Sequence, residues 1–309
     1  MLPVRTPTLP PATHTNTFLV GTKEAVLIEP ATPYREEQDA MVQWVQAARL
    51  RGVEPVAILA THHHPDHVGG AMALRERLQL PLWAHAMTAK RLDGIVEVDR
   101  LIQEGERIEL DGPTPTSLTA LHTPGHAPGH LCFTDEASNI MIAGDMVASV
   151  GTIIVEPTDG DMLLYLESLR KMSVLEPAGL LPAHGDLIEQ PQAILSFYIE
   201  HRLMRERKVL DALEARGKAS RPRHLVAKAY ADTPKTLWPL ALRSIEAHLI
   251  KLEREGRATK EGDRWAGKGA QPKRATAGRR SRTDPQTQRA ASIRHRRCGG
   301  RLRPALRNR

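Results

Sequence analysis

Two cysteines in 309 residues, Cys132 and Cys298, stand far apart in the sequence. Nothing in that spacing suggests a disulfide framework, so a reducing, cytoplasmic setting is the expectation. The chain also lacks any uninterrupted apolar run approaching the length of a membrane span. Residues 1–12 are rich in proline, carry a single charge at Arg5, and have no apolar segment of the kind a secretory signal needs. A soluble protein with no membrane partner is expected. An excess of basic charge is missing over most of the chain as well, although the formal net charge is +7. Residues 263–309 hold fifteen of the 43 Lys/Arg and two of the 36 Asp/Glu, which leaves residues 1–262 with a net charge of −6. Strong electrostatic capture of a polyanion by the body of the protein is therefore not expected. The length still allows a substantial core, in one larger domain and one smaller.

What the sequence has is a concentration of metal-ligating side chains in Thr61-His62-His63-His64-Pro65-Asp66-His67-Val68-Gly69-Gly70. Residues 55–60 before it are apolar and uncharged, as in a strand buried on both faces. In extended backbone alternate side chains share a side, so His62 and His64 can grip one cation while His63 faces away. Pro65 then turns the chain and brings Asp66 and His67 round for a second cation. A surface histidine tract would not sit between a buried strand and a Gly-Gly turn.

Around this stretch, residues 15–21 and 25–30 read as a hairpin, 34–50 as a helix, 71–80 as a second helix, 81–85 as a short strand and 86–92 as a further helical turn or two. From 107 the pattern becomes a β-meander with strands near 108–110, 117–122, 131–133 and 140–143. A helix over 161–175 and a strand over 179–183 follow. Further ligand types close these later strands: His126 in Pro-Gly-His, Asp145 in Ala-Gly-Asp, and His184 in Ala-His-Gly. Rigid scaffolds present functional groups in such loops. His130 reads as support for a neighbouring ligand, His85 and His122 as structural, and Cys132 as packed within a strand. His14 lies on a loop within possible reach of the site.

The seven ligand types resemble the metallo-β-lactamase-fold hydrolase superfamily over roughly residues 13–190. The resemblance implies an α/β fold, an αββα sandwich with a dinuclear site at one edge. It assigns His62, His64 and His126 to one zinc, Asp66, His67 and His184 to the other, and Asp145 as the bridge. Imidazole and carboxylate also accept Mn or Fe. Two such cations pin a hydroxide between them and clamp attacking and leaving oxygens, so a hydrolase follows. Asp66 would orient the nucleophile and pass its proton to the leaving group.

From residue 191 helical patterns cover 192–216, 221–230 and 235–255, then two short strands flank a turn within 256–265. Three helices and a hairpin make a winged-helix pattern. The expected organisation is a catalytic domain over 1–190, a winged-helix-like domain over 191–265, and a basic, disordered tail over 266–309 capable of weak nucleic-acid contact. This order resembles the β-lactamase-like protein 2 subfamily, whose members include single-strand-specific endoribonucleases. By that analogy His201, Arg202 and Arg205 would hold substrate phosphates at the mouth of the cleft. The expected substrate is single-stranded RNA, or alternatively a small ester or thioester. Residues 123–130 are close to the glyoxalase II pattern, and slow lactone or β-lactam hydrolysis is a third reading. The bridging Asp145 argues against antibiotic hydrolysis as the main activity.

Overall fold

The apolar periodicities resolve into two sheets and the helices that cover them, in a computed structural model that describes residues 1–268. From residue 269 on, the expected basic tail lies outside the described residues. The first sheet runs in sequence order: β1 (Leu2–Arg5), β2 (His14–Gly21), β3 (Glu24–Ile28), β4 (Glu54–Leu59), β5 (Leu82–His85) and β6 (Arg100–Ile102). It is antiparallel from β1 to β3 and parallel from β3 to β6. Parallel neighbours need crossovers, which are α1 (Arg35–Arg49), then α2 (Pro65–Val68) with α3 (Ala71–Leu78), then α4 (Ala86–Leu92). The second sheet begins as an antiparallel meander of β7 (Arg107–Leu110), β8 (Thr116–His122), β9 (Leu131–Asp135) and β10 (Ile140–Gly144). After α5 (Met162–Val174) the chain returns as β11 (Gly179–Pro182), parallel to β10.

Strand alternation sorts the core into layers. Val26, Ile28, Ala57 and Leu59 meet Leu118, Ala120, Phe133 and Ile142 between the sheets. Their neighbours Leu27, Ile58 and Ala60 point the other way, onto Met41, Val45, Leu74 and Leu78 of α1 and α3. Cys132, Met141 and Ala143 face Tyr165, Leu166 and Leu169 of α5. The result is an αββα sandwich. Each large aliphatic or aromatic side chain buried this way contributes roughly 1.5–3 kcal/mol.

Two strands had no counterpart in the sequence pattern. β1 lies in the proline-rich segment, yet it pairs with β2 from Leu2↔Thr17 to Arg5↔His14 and buries Val4. An edge strand tolerates Pro3 because only one of its sides has to supply ladder bonds. β6 is a three-residue edge strand, too short to show a period.

The C-terminal part consists of α6 (Pro191–Arg216), α7 (Val226–Ala229), α8 (Trp238–Arg254) and the hairpin β12 (Ala258–Glu261) and β13 (Arg264–Gly267). Residues 221–230, expected as one helix, form a 3₁₀ turn at Pro222–His224 followed by α7. The long α6 serves two cores. Leu195 and Tyr198 pack with the layer that contains α5, while Val209, Ala212 and Leu213 join Ile245, Leu249, Leu252 and Trp265 in a separate cluster. A buried Glu206–Lys251 ion pair at 2.6 Å ties α6 to α8. No helix among the described residues is long and apolar enough to cross a membrane.

Candidate metal centre

Elements from both sheets end at one edge, and each delivers candidate ligands there. His62 and His64 follow β4, Asp66 and His67 lie in α2, His126 sits between β8 and β9, Asp145 follows β10, and His184 follows β11. Pro65 occupies the first turn of α2, where its missing N–H costs nothing. The two glycines that follow are required by close approach: a Cβ on Gly69 would lie 2.6 Å from the Pro65 carbonyl oxygen, and one on Gly70 2.7 Å from that of Thr32.

The ligand atoms converge in two groups. His62 Nε2 lies 3.0 Å from His64 Nδ1, and His126 Nε2 lies 3.2 and 2.9 Å from those two atoms. Asp66, His67 and His184 form the second group, with Asp66 oxygens 3.8 and 3.6 Å from His67 Nε2 and His184 Nε2. Asp145 stands between the groups. Its Oδ2 is 3.4 Å from His126 Nε2, while its Oδ1 is 3.5 Å from His67 Nε2 and 3.4 Å from His184 Nε2. Every sequence-predicted ligand is thus at the centre.

The outward ring nitrogens fix the tautomers. His62 Nδ1–H donates to the Thr61 hydroxyl at 2.9 Å, which itself donates to Glu29 at 2.6 Å. His67 Nδ1–H donates to the same Glu29 oxygen at 3.1 Å. His64 donates from Nε2 to Asp159 at 2.8 Å, His126 from Nδ1 to the Ile154 carbonyl at 2.8 Å, and His184 from Nδ1 to the His14 carbonyl at 2.9 Å. In the neutral imidazoles all five inward nitrogens then carry the lone pair, as metal-binding imidazoles require.

Two observations test whether divalent cations fit. His67 Nε2 and Asp145 Oδ1 are buried and have no hydrogen-bond partner among the described residues, a costly state unless another group satisfies them. The donors are imidazole nitrogens and carboxylate oxygens, and the inward nitrogens of the first group lie close to the separation of about 3.3 Å expected of ligands on one tetrahedral ion. The electrostatics agree. Burial pulls the His67 pKa down, but the carboxylates of Asp145, Glu29 and Asp66 outweigh it and hold it well above the ordinary value. A field that favours a proton there favours a cation. Burial alone would raise the Asp145 carboxyl, yet His67 and His184 hold it well below the usual range. Burial lowers His126 to about 4.

The remaining histidines fall where chemistry, not ligation, puts them. His63 belongs to neither group of candidate ligands and meets Asp159 at 3.2 Å, on the same oxygen that receives His64. His130 accepts from the Asp145 backbone N–H at 3.0 Å and so holds the residue that stands between the two groups. His85 and His122 stack on each other at 4.1 Å. Cys132 is buried in β9 with its thiol pushed up to about 12 by burial, so it takes no part.

A cavity of about 380 Å³ opens over the ligands. Its walls include Leu9, Ala12, Val150, Ile153, Ile154 and Leu240, with Arg243 as the one cationic side chain, paired to Glu156. Leu240 and Arg243 come from α8, so the C-terminal part completes the cleft.

His201, Arg202 and Arg205, expected at the cleft mouth, do not line this cavity. Arg202 is buried and donates to the Ile153 carbonyl, Arg205 pairs with Asp232 at 2.6 Å over the Tyr230 ring, and His201 stacks on Phe197. The physical reason is that α6 packs against its neighbours on several sides, and these guanidinium groups satisfy partners inside that packing. Sequence reasoning in turn missed Glu29, Thr61 and Asp159. Glu29 did leave a signal, as a lone carboxylate ending an apolar strand before Pro30.

A family model described as the metallo-beta-lactamase superfamily matches residues 10–184, and one described as the beta-lactamase associated winged helix domain matches residues 222–265. The beta-lactamase-like protein 2 homolog of Drosophila melanogaster is 28% identical, covering 79% of this chain and 83% of that protein. An atrochrysone carboxyl ACP thioesterase of Emericella nidulans is 29% identical over 82% of this chain and 80% of its own. The crystal structure of a beta-lactamase domain protein from Burkholderia ambifaria matches the fold with a TM-score of 0.73 at 20% identity, over 86% of this chain and 90% of that one. With a family model spanning more than half the chain and a winged helix following it, this protein belongs to the metallo-beta-lactamase superfamily and is a metal-dependent hydrolase.

Proposed function

We propose that the protein hydrolyses esters or thioesters of an apolar acyl group at a dinuclear zinc centre. The observation that carries this reading is the lining of the cavity away from the ligands, where Leu9, Ala12, Val150, Ile153, Ile154 and Leu240 form aliphatic walls and the single Arg, Arg243, is already paired with Glu156. A pocket of this size and character buries an acyl chain. Single-stranded nucleic acid instead calls for a positive groove with aromatic side chains on which bases stack, and the cavity lining includes no Lys, Phe, Tyr or Trp. The likeness to a protein named as a thioesterase supports the same choice.

His62, His64 and His126 would hold one cation, Asp66, His67 and His184 the other, and Asp145 both. When bound, such a pair supplies Lewis-acid polarisation of the scissile carbonyl and a nucleophile available near neutral pH. Asp66 lines the cavity, so its carboxylate can take the proton of the attacking water and return it to the leaving sulfur or oxygen. The aliphatic walls hold the acyl group and keep bulk water from the reacting carbon.

Phosphodiester cleavage of single-stranded RNA is the alternative favoured by the domain order. One panel on metal-analysed protein separates the two: acyl thioesters of increasing chain length, short single-stranded RNA and a chromogenic β-lactam. The expected result is fastest turnover of thioester, with KM falling as the acyl chain lengthens. RNA as the fastest substrate would overturn the proposal.

A further inference from the structure

Between β10 and α5 runs a loop, residues 145–161, that carries three parts of the centre. Asp145 begins it, the Ile154 carbonyl receives His126, and Asp159 receives His64. Its backbone from 150 to 155 makes no backbone–backbone hydrogen bond among the described residues. No strand or helix therefore places the Ile154 carbonyl. Something else must.

The contacts that do so come largely from α6 and α8. Arg202, 6% exposed, donates to the carbonyl of Ile153, the residue next to the one that orients His126. Its guanidinium lies 5.3 Å from the Tyr165 ring centre, and the Tyr165 hydroxyl donates to the Met146 carbonyl at 2.8 Å. The Tyr198 hydroxyl accepts from Ala148 N–H at 3.1 Å and donates to the Ala148 carbonyl at 3.2 Å, replacing the ladder partner that the loop lacks. Arg243 and Arg254 of α8 pair with Glu156 and Asp161 further along. Ile153 and Val155 are buried in the same cluster as Leu195, Tyr198 and Ala247.

We infer that α6 and α8 together act as the positioning element of the metal centre, with Arg202 the positioning residue for His126. A buried cation on a backbone carbonyl is a strong, directional contact, and an imidazole whose partner moves loses its orientation toward the metal. The basic run on α6 thereby acquires a role that requires no phosphate. This inference rests on the metal-dependent reading of the site and is independent of the substrate.

Cobalt(II) alone is the probe, titrated into the full chain and followed by visible absorption, with His126→Ala marking which spectral change and which affinity belong to the first group. Arg202→Gln is expected to weaken that site about tenfold, the lower end of what loss of an outer partner costs, and to alter its spectrum. The second site should stay within about twofold of wild type, on the same principle that such partners act on their own ligand. Arg202→Lys, which keeps the positive charge and the reach to the Ile153 carbonyl that glutamine lacks, should recover most of the loss. Wild-type affinities and spectrum in Arg202→Gln would overturn the inference, and so would an equal loss at both sites, which would assign Arg202 to general stability. Should Arg202→Gln not fold, Tyr198→Phe tests the same loop with its shape kept: a smaller loss confined to the His126 site supports the inference, and no loss overturns it. A wild-type chain that binds no cobalt would bring down the metal-dependent reading itself.

Discussion

On the floor of the metal centre His62 and His67 are fully buried and both depend on Glu29, while on its rim His64 and His126 depend on Asp159 and the Ile154 carbonyl. The two regions are held by different means. Glu29 continues β3, its N–H donates to Leu59 of β4 at 3.0 Å, and its carbonyl accepts from Thr17 of β2 at 2.8 Å. Two strands clamp it in a left-handed conformation with φ at 68°, a strain of about 1–3 kcal/mol that only a rigid scaffold sustains. The rim partners sit in a loop whose position comes from side chains of α6 and α8. The floor is a property of the sandwich; the rim is shared with α6 and α8.

The largest effect should follow from removing the residue common to both. Asp145→Ala is expected to lower turnover roughly a thousandfold or more, because several kcal/mol of Lewis-acid stabilisation go with the two-cation arrangement. Steady-state rates on the best thioester check this, with a circular-dichroism melt to confirm the fold. A loss of less than tenfold would sink the two-cation arrangement.

Next come the two orienting carboxylates. Glu29→Gln touches ligands of both groups and should weaken both sites, by roughly 10- to 100-fold, whereas Asp159→Asn should weaken one, by roughly tenfold. Competition with a chelator measures each affinity. Identical profiles for the two variants would erase the distinction between floor and rim.

The smallest effect concerns the support behind the rim. His248 of α8 is fully buried, neither ring nitrogen has a partner among the described residues, and burial lowers its pKa to about 3. An unfolded histidine takes up its proton near 6.5, so the folded state is penalised progressively as pH falls below that value. By pH 5 the loss is on the order of 2 kcal/mol. His248→Leu should remove this dependence and raise stability at pH 7 by about 1 kcal/mol, since no polar group then remains unpaired. Urea midpoints at pH 7 and pH 5 decide it; an unchanged difference between the two midpoints would exclude His248 as one of the acid-sensitive groups.

Much of this was legible beforehand, for reasons that particular residues make clear. His62 and His64 were readable as a pair because alternation along an extended chain is a local rule, and it holds although β4 ends at Leu59. The meander and its closing ligands were readable because each follows an apolar strand. Arg202 was misplaced because helical spacing says that a guanidinium exists, not which neighbour α6 will turn it toward.

The sequence alone determined the hydrolytic class and pointed to the candidate ligand types, since those depend on side-chain chemistry packed into short motifs at strand ends. Only the tertiary structure decided that Glu29 would serve two histidines, that a backbone carbonyl at Ile154 would orient a third, and that aliphatic walls would close over them. The reason is physical. Carbonyls are present at every residue and carry no sequence signal, and the apolar walls gather residues from the N-terminal loop, the 145–161 loop and α8, which meet only when both sheets and the winged helix have packed.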